Sequence, residues 1–460
     1  MGRLFGTDGV RGIAGEDLTA QLAHRLGNAA AAVLTDAGNP AKKPLVLIGQ
    51  DTRISGDMLA CAMAAGLCET GCNVTMLGVV PTPAVAYLVR RLGADAGVMI
   101  SASHNPSEYN GIKIFDANGY KLPDETEDRI EAILRGESQV RFAVGAHIGT
   151  IVPPKANPLA LYCEHVKCLL PKKGTDCPRR ILMDLANGSA AATAGFIFTP
   201  EAMAPDTVTF CADHPDGVNI NDNCGSTKLK NLAAAVVRGG YDLGIAFDGD
   251  ADRCLAVDEC GREIDGDKMI ARLALTMKEK GDLPHNTAVV TKLSNLGFHQ
   301  MAQREGITVK VTEVGDRYVL EEMLRGGYGI GGEQSGHIIL LAYGTTGDGQ
   351  VSATQVLSAL RDAPGKRASE VFGCMRSLPQ VAINVQVPNE KKADIMADET
   401  VLSELEQVRQ ALSETGRVLL RPSGTEALIR IMLEGTDEGE LTALGQRIAE
   451  KIAQKLCGQN

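Results

Sequence analysis

The 460-residue sequence has no tryptophan, and aromatic residues make up only 4% of it. An interaction protein built on aromatic anchors is therefore a poor match for this composition. The formal net charge is −11, whereas proteins that bind the nucleic-acid backbone need a basic surface. No apolar run is long enough to span a bilayer, and the first residues lack a signal peptide's apolar region. These absences argue against nucleic-acid and membrane partners and predict a cytoplasmic protein.

The 12 cysteines include no Cys-x-x-Cys pair and nothing with the spacing of a zinc site. Cys61, Cys68 and Cys72 lie in an alanine-rich helical segment, where we expect them to be small core residues. The pattern indicates reduced thiols in a cytosolic protein rather than a disulfide framework.

One pattern of strand, polar loop and helix occurs three times along the chain. It is seen in "PLVLIGQDTRISGDML", "ILMDLANGSAAATA" and "AVVTKLSNLGFHQM". Some tens of residues after each, a second strand ends in a polar loop, in "AGVMISASHNP", "LGIAFDGDADR" and "YGIGGEQSGHI". Alternating strands and helices predict α/β units with mixed, largely parallel sheets. Loops at the carboxyl ends of such strands are where α/β proteins bind ligands.

Proline-rich and glycine-rich stretches between these patterns suggest the domain boundaries. We predict three related α/β domains over residues 1–152, 153–253 and 254–370. The remaining stretch, 371–460, reads as strand, polar helix, two strands and a terminal amphipathic helix, which predicts a small α+β domain.

The segment "DGDADR" places three carboxylates, Asp248, Asp250 and Asp252, at alternate positions of one short loop. Hard oxygen ligands in this arrangement suit Mg²⁺ or Ca²⁺. An EF-hand is excluded because Arg253 stands where that loop needs glycine and because the flanking segments read as strands. A haloacid-dehalogenase-like phosphatase, with Asp248 as nucleophile and Asp250 as acid, stays open, as does a solvated acidic turn.

The segment "SASHNP" raises the question of a Ser–His pair at Ser103 and His104. In an extended segment adjacent side chains point to opposite faces, so we do not expect His104 to act as the base for Ser103. No G-x-S-x-G elbow is present either. The spacing alone favours a polar turn and an active-site loop equally.

Two further loops carry groups that suit a phosphorylated sugar. In "GGEQSGH", a carboxylate at Glu333 and a hydroxyl at Ser335, close to His337, suit vicinal sugar hydroxyls, although a connecting turn is as good a reading. In "RPSGTEALIR", Ser423, Gly424 and Thr425 lie between Arg421 and Arg430. Backbone N–H groups, hydroxyls and guanidinium groups together suit a phosphate.

Taken in order, "FGTDGVRG", "ISASHNPSEYNGIKIF", "AFDGDADR", "GGEQSGHI" and "RPSGTEALIR" resemble the α-D-phosphohexomutase superfamily over nearly the whole chain. They are most similar to its branch that acts on glucosamine phosphates. The resemblance implies three α/β domains and a C-terminal domain like the TATA-binding protein, arranged around a central cleft. Two departures are Ala427 and Ala251, which stand where the family often has proline and glycine.

The resemblance also implies roles for the candidate residues. Ser103 would carry the transferred phosphoryl group, and its phosphate oxygen would join Asp248, Asp250 and Asp252 in holding one Mg²⁺ per active site. Arg11 and Lys113 would be catalytic, with Lys113 as the acid–base group. The substrate-binding residues would be Glu333, Ser335, His337, Arg421, Ser423, Gly424, Thr425 and Arg430.

The implied reaction converts glucosamine 6-phosphate to glucosamine 1-phosphate, which feeds UDP-N-acetylglucosamine synthesis. Glucosamine 1,6-bisphosphate would be the intermediate and activator, and the partner would be a phosphosugar bound by a monomer or homodimer. A related mutase acting on mannose or glucose phosphates is the alternative, followed by the metal-dependent phosphatase.

Overall fold

The computed structural model describes residues 4–6, 8–35, 43–154, 156–171, 177–413, 416–423 and 427–457. The chain divides into two compact bodies. The larger body comprises Met1–Ser294 and Glu305–Cys374, and the smaller comprises Asn295–Arg304 and Met375–Asn460. Within the described ranges, no helix is both long and apolar enough to cross a membrane.

The first α/β repeat contains β1 (Val10–Ile13), α1 (Ala20–Leu34), β2 (Leu45–Gln50), α2 (Gly56–Glu69), β3 (Asn73–Val79), α3 (Thr82–Leu92), β4 (Ala96–Ile100), β5 (Tyr109–Phe115) and α4 (Asp124–Leu134). β3, β2 and β4 run parallel, while β5 is antiparallel to β4 and β1 is antiparallel to β5. The hydroxyl of Thr19 caps α1 by accepting a hydrogen bond from the Leu22 N–H at 3.2 Å. Buried side chains of β2, β4, α1 and α2 form one apolar core.

The second repeat contains α5 (Pro158–Lys167), β6 (Arg180–Asp184), α6 (Ala194–Ile197), α7 (Pro200–Met203), β7 (Thr207–Cys211), α8 (Leu229–Gly239), β8 (Leu243–Phe247), β9 (Cys254–Asp258) and β10 (Glu263–Ile264). β7, β6 and β8 are parallel, and β9 is antiparallel to β8. This pairing corrects the predicted boundary after Arg253. The chain turns back at the acidic loop and continues the same sheet as far as Ile264.

The third repeat contains α9 (Gly266–Lys280), β11 (Thr287–Thr291), α10 (Leu296–Arg304), β12 (Thr308–Thr312), α11 (Asp316–Gly326), β13 (Ile330–Gly332), β14 (Ile338–Leu340), α12 (Gly349–Arg361) and α13 (Ala368–Val371). β12, β11 and β13 are parallel, and β14 is antiparallel to β13. Contacts assign α10 to the smaller body, although it follows β11 in the chain.

The three repeats share one topology, which confirms the predicted α/β fold. In each repeat one strand, β2, β6 or β11, lies between two strands that run parallel to it. The strand that follows the third parallel strand in the chain pairs with it in the antiparallel direction. The helix before the third parallel strand ends each time at a left-handed glycine, at Gly93, Gly240 and Gly327. Glycine adopts this conformation without a Cβ clash, so it ends the helix at the same point in each repeat. The sequence patterns missed the second parallel strands, β3, β7 and β12.

The smaller body contains β15 (Gln380–Gln386), α14 (Lys392–Met396), α15 (Glu399–Leu412), β16 (Arg417–Pro422), β17 (Leu428–Glu434) and α16 (Glu438–Cys457). Its sheet is antiparallel in the order β15-β17-β16. Val408 of α15, Ile431 of β17 and Ile448 of α16 are buried in one core. This is the predicted α+β fold.

The cysteines of the first repeat differ in burial. Cys72 is buried, Cys68 is partly buried and Cys61 is exposed. The expectation that Cys61 is a core residue is therefore wrong, because its position on α2 faces away from the apolar core.

Candidate active site

Three loops occupy the same topological position in the three repeats. Each connects the third parallel strand to the antiparallel strand beside it, and they comprise residues 101–108, 248–253 and 333–337. We call them the serine loop, the acidic loop and the Glu333 loop. All candidate residues of the larger body except Arg11 and Lys113 lie in these loops, so the repeated fold supplies three equivalent positions for different chemistry.

The serine loop and the acidic loop are in direct contact. The Ser103 hydroxyl donates a hydrogen bond to Asp248 Oδ2 at 2.5 Å, and both side chains are buried. A Cβ atom at Gly249 would lie 2.6 Å from the Ser103 carbonyl oxygen. Glycine at position 249 therefore permits the close approach of the two loops. The structure brings Ser103 and the aspartates together, as the sequence predicts.

The backbone of Ser103 is held in a left-handed conformation with φ of 53°. Its N–H donates to Ser101 Oγ at 2.9 Å, and the Ser101 hydroxyl donates to Asp51 Oδ2 at 2.6 Å. Its carbonyl accepts hydrogen bonds from Arg53 and Asn221 at 3.0 and 2.9 Å. These contacts stabilise a conformation that costs about 1–2 kcal/mol for a residue with a Cβ atom.

Sequence reasoning missed the supporting residues Asp51, Arg53 and Asn221. Asp51 and Arg53 form a fully buried ion pair, with Arg53 Nε 2.9 Å from Asp51 Oδ2. A signal was present in the sequence, since "QDTR" ends the buried strand β2 with charged residues. Asn221 had no comparable signal.

The position of His104 differs from the expectation. Because Ser103 is left-handed, the segment is not extended, and His104 Nδ1 lies 3.5 Å from Ser103 Oγ. This contact is longer than the hydrogen bond from Ser103 to Asp248. Burial, followed by the positive charge of Arg253, lowers the pKa of His104 to about 4. The ring is therefore neutral at pH 7.

The three aspartates of the acidic loop form a cluster that fits a divalent cation. Their buried carboxylates offer ligand oxygens within 4.8 Å of one another. Oδ1 of Asp250 and Oδ1 of Asp252 have no hydrogen-bond partner in the described part of the chain. Burial, followed by the charges of Asp252 and Asp250, raises the pKa of Asp248 well above its usual range. A cation bound here would satisfy the free oxygens and offset the repulsion.

Lys113 on β5 lies against the acidic cluster. Its buried Nζ is 2.8 Å from Asp250 Oδ2, 3.2 Å from Asp252 Oδ2 and 3.0 Å from Asp8 Oδ2. Burial lowers the pKa of Lys113, but the three carboxylates outweigh burial and raise it well above the ordinary value. Lys113 is thus a cation at neutral pH.

Arg11 on β1 contacts the serine loop from the other side. Its Nη1 donates to the carbonyl of Ala102 at 3.3 Å, and its Nη2 pairs with Asp8. Asp8 also accepts a hydrogen bond from Lys121 at 2.5 Å. Asp8 therefore links Arg11, Lys113 and Lys121, and sequence reasoning missed this role although "FGTDGVRG" contains it.

The Glu333 loop borders a cavity of about 880 Å³, which Glu333, Gln334, Ser335 and Arg253 help to line. Glu333 Oε1 accepts a hydrogen bond from the Gly315 N–H at 3.1 Å, and Ser335 Oγ lies 3.4 Å from Glu333 Oε2. The carboxylate is thereby oriented beside a hydroxyl, an arrangement that can bind the hydroxyl groups of a sugar.

His337 does not share this position. It is buried, and it is absent from the described lining of the cavity. Its Nε2 accepts a hydrogen bond from the Gly347 N–H at 3.1 Å, and its Nδ1 lies 3.7 Å from Asp252 Oδ2. The geometry therefore does not support direct contact with substrate, because backbone and carboxylate groups already surround the ring.

In the smaller body, Arg421 on β16 lies directly opposite Arg430 on β17. Burial and the charge of Arg430 lower the pKa of Arg421. Two like charges at opposed positions of antiparallel strands are unfavourable without an anion. Ser423 is buried beside them, and its carbonyl accepts a hydrogen bond from Lys392 at 2.6 Å. The predicted residues Gly424 and Thr425 lie outside the described ranges.

Comparisons with known proteins agree with this architecture. Four profiles described as phosphoglucomutase/phosphomannomutase domains I, II, III and IV match residues 2–141, 160–261, 265–378 and 383–451. A phosphoglucosamine mutase of Thermoanaerobacter pseudethanolicus is 49% identical over 456 residues, covering 99% of this chain and 100% of the relative. That of Clostridium kluyveri is 46% identical over 457 residues, with the same coverage.

A solved structure of a phosphomannomutase-like protein from Thermus thermophilus matches with a TM-score of 0.75 and 26% identity, covering 99% of this chain and 98% of that one. The chain therefore belongs to the phosphoglucomutase/phosphomannomutase family, and it is an isomerase that transfers phosphate.

Proposed function

We propose that this enzyme interconverts glucosamine 6-phosphate and glucosamine 1-phosphate through a phosphoserine at Ser103. The observation that carries the proposal is the 2.5 Å hydrogen bond from the Ser103 hydroxyl to Asp248 within a buried carboxylate cluster. The substrate follows from full-length relatives, 46 and 49% identical, that are named phosphoglucosamine mutases.

In the first half of the reaction, the bond between phosphorus and Ser103 Oγ breaks while a bond forms to the free O1 of glucosamine 6-phosphate. The product is glucosamine 1,6-bisphosphate, which is both intermediate and activator. In the second half, the phosphate on O6 returns to Ser103 Oγ and glucosamine 1-phosphate leaves. The enzyme thus ends in its starting, phosphorylated state.

The residues around Ser103 have distinct tasks in this proposal. One Mg²⁺, held by Asp248, Asp250, Asp252 and a phosphate oxygen on Ser103, would offset the charge of the transferring group. Lys113 is the acid–base group: it gives a proton to Ser103 Oγ as that oxygen leaves phosphorus and takes one from the attacking sugar hydroxyl, so it ends the transfer as a cation. Arg11 stabilises the position of the serine loop and adds positive charge.

The remaining candidate residues bind the parts of the substrate that do not react. Glu333 and Ser335 bind sugar hydroxyls. Arg421, Ser423 and Arg430, together with Gly424 and Thr425, bind the phosphate that is not transferred. His337 is assigned a positioning role beside Asp252, in place of the substrate contact predicted from sequence.

The test compares kcat/KM for glucosamine 6-phosphate, glucose 6-phosphate and mannose 6-phosphate with enzyme whose phosphorylation is measured by intact mass. We expect one phosphoryl group on the active protein, absent from Ser103→Ala and retained in Ser107→Ala, and a preference for the amino sugar. A preference for glucose or mannose phosphate would support a related mutase. Turnover that releases inorganic phosphate without phosphoserine would support a phosphatase.

A further inference from the structure

A second polar segment borders the cavity next to the Glu333 loop, and the reaction above does not use it. This segment, Asn223–Asn231, leads into α8. Three cationic side chains, Lys228, Lys230 and Arg253, line the cavity together with two carboxylates, Glu263 and Glu333. The cavity lining is therefore net positive in a chain whose formal net charge is −11.

Ser226 shows that this wall is built for a polar ligand. The residue lines the cavity and is only 3% exposed. Its backbone N–H donates to the carbonyl of Phe247 at 2.8 Å, which fixes it beside the last residue before the acidic loop. Its Oγ has no hydrogen-bond partner in the part of the chain that the structure describes. A buried hydroxyl without a partner is unfavourable, and rotation about χ1 toward the cavity would let this hydroxyl donate to a ligand bound there.

The N-terminus of α8 adds donors at the same place. Lys228 occupies the N-cap position of this 11-residue helix and makes no side-chain capping bond. The first-turn N–H groups of a helix lack intrahelical partners and carry partial positive charge. Lys228 and Lys230 are both exposed and line the cavity, so their ammonium groups are accessible to a ligand there. Hydroxyl, N–H and ammonium donors together are the ligands of a phosphate group.

We propose that Ser226, Thr227, Lys228 and Lys230 form a second phosphate site in this cavity, which holds one phosphate of the sugar bisphosphate. The inference rests on the proposed mutase function, because its intermediate carries a phosphate at each end. The intermediate must exchange its two phosphates before the second transfer. A phosphate site in the cavity that Glu333 and Ser335 also line keeps the molecule bound during that exchange and limits its loss to solvent.

The first experiment measures phosphate binding without turnover. Inorganic phosphate is titrated into magnesium-free, full-length protein carrying Arg421→Ala and Arg430→Ala, and binding is followed by the ³¹P NMR line width. We expect residual binding that weakens about tenfold or more when Lys228→Ala and Lys230→Ala are added. Lys310→Ala with Lys451→Ala, which removes two exposed lysines elsewhere, should leave it unchanged. Equal phosphate affinity in the two quadruple variants overturns the site.

Ser226→Ala separates a ligand role from a structural one. We expect weaker phosphate binding together with a melting temperature that is unchanged or higher, because the replaced hydroxyl has no partner. A lower melting temperature with unchanged phosphate binding would show that Ser226 is structural and would overturn its place in the site.

The second experiment tests the role in turnover. With Arg421 and Arg430 intact, Lys228→Ala/Lys230→Ala should raise the concentration of glucose 1,6-bisphosphate needed for half-maximal activation about tenfold. At saturating bisphosphate, kcat should stay within about threefold of the control variant. An unchanged activation concentration overturns the retention role. If the parent protein turns over no glucosamine phosphate, the proposed function fails, while the NMR result still decides whether the phosphate site exists.

Discussion

The serine loop and the strand pair that carries Arg421 and Arg430 are held in opposite ways. Ser103 is fixed by four hydrogen bonds, through its hydroxyl, its N–H and its carbonyl, and all its partners are buried. Arg421 and Arg430 instead face each other across β16 and β17 with like charges, and both are only partly buried. The serine loop fixes the position of one atom, Ser103 Oγ, whereas the strand pair places two positive charges side by side.

This difference corresponds to two tasks in a phosphoryl transfer. The atom that attacks or leaves phosphorus must be placed within a fraction of an ångström. A phosphate that does not react needs donors and positive charge, which contribute equally to ground-state and transition-state binding. Changes in the serine and acidic loops should therefore lower kcat, whereas changes in the arginine pair should raise KM.

The largest effect is expected for Ser103→Ala, because it removes the oxygen that carries the phosphoryl group. Loss of a covalent nucleophile costs on the order of 10⁴-fold or more in kcat. Ser107→Ala, which removes a hydroxyl from the same loop, serves as the control and should retain activity. Steady-state rates with glucosamine 6-phosphate at saturating bisphosphate measure both. A Ser103→Ala enzyme with normal kcat would show that the serine loop does not carry the reaction.

Asp250→Asn should lower kcat by about 10²- to 10³-fold, since it removes one negative ligand from the buried cluster. The metal-free protein should remain folded, because Lys113 retains Asp8 and Asp252 as partners. Wild-type protein should be stabilised by about 2.7 kcal/mol at a Mg²⁺ concentration 100 times its Kd, and the variant by much less at that concentration.

The measurement for Asp250→Asn is thermal unfolding with and without Mg²⁺, alongside steady-state kinetics. If the metal-free variant unfolds while wild type does not, the aspartates are structural and the distinction between the two regions fails. Asp242→Asn, which changes a carboxylate outside the acidic loop, controls for general loss of negative charge.

Arg430→Ala should raise KM about 10- to 100-fold and change kcat by less than about threefold, the cost of one charge-assisted hydrogen bond to phosphate. Arg409→Ala, an exposed arginine on α15, is the matched control. A fall in kcat with unchanged KM would mean that Arg430 acts on the transferring phosphate. The assignment of the arginine pair to the phosphate that does not react would then be wrong.

Periodicity and loop chemistry were enough to predict the α/β repeats, the C-terminal α+β fold and the cluster at Asp248, Asp250 and Asp252. Other features depend on contacts between distant segments. The edge strands β7 and β12 contain no buried residue and give a weak pattern. Asn221 and Asp8 act by contacting residues far away in the sequence, Ser103 and Lys113. A local pattern contains no information about such contacts.

The acidic loop can be tested more finely at Ala251, where the sequence departs from the glycine that the family often has. Ala251 is left-handed, with φ of 54°, as is Ser103 with φ of 53°. We expect different outcomes for glycine in the serine loop and in the acidic loop, because the reaction requires the Ser103 side chain and does not require the Ala251 side chain. Ala251→Gly should keep kcat within about twofold and change stability by less than about 1 kcal/mol, since relief of strain is offset by greater freedom of the unfolded chain.

The control for Ala251→Gly is Ala102→Gly, at a buried position of the serine loop whose φ is not positive. There the glycine relieves no strain, so the free energy of unfolding should fall by about 1 kcal/mol or more. Thermal unfolding of the two variants side by side measures the difference. Equal destabilisation would mean that Ala251 gains nothing from glycine. The left-handed conformation of Ala251 would then cost the acidic loop no measurable strain, and glycine would destabilise both loops to the same extent.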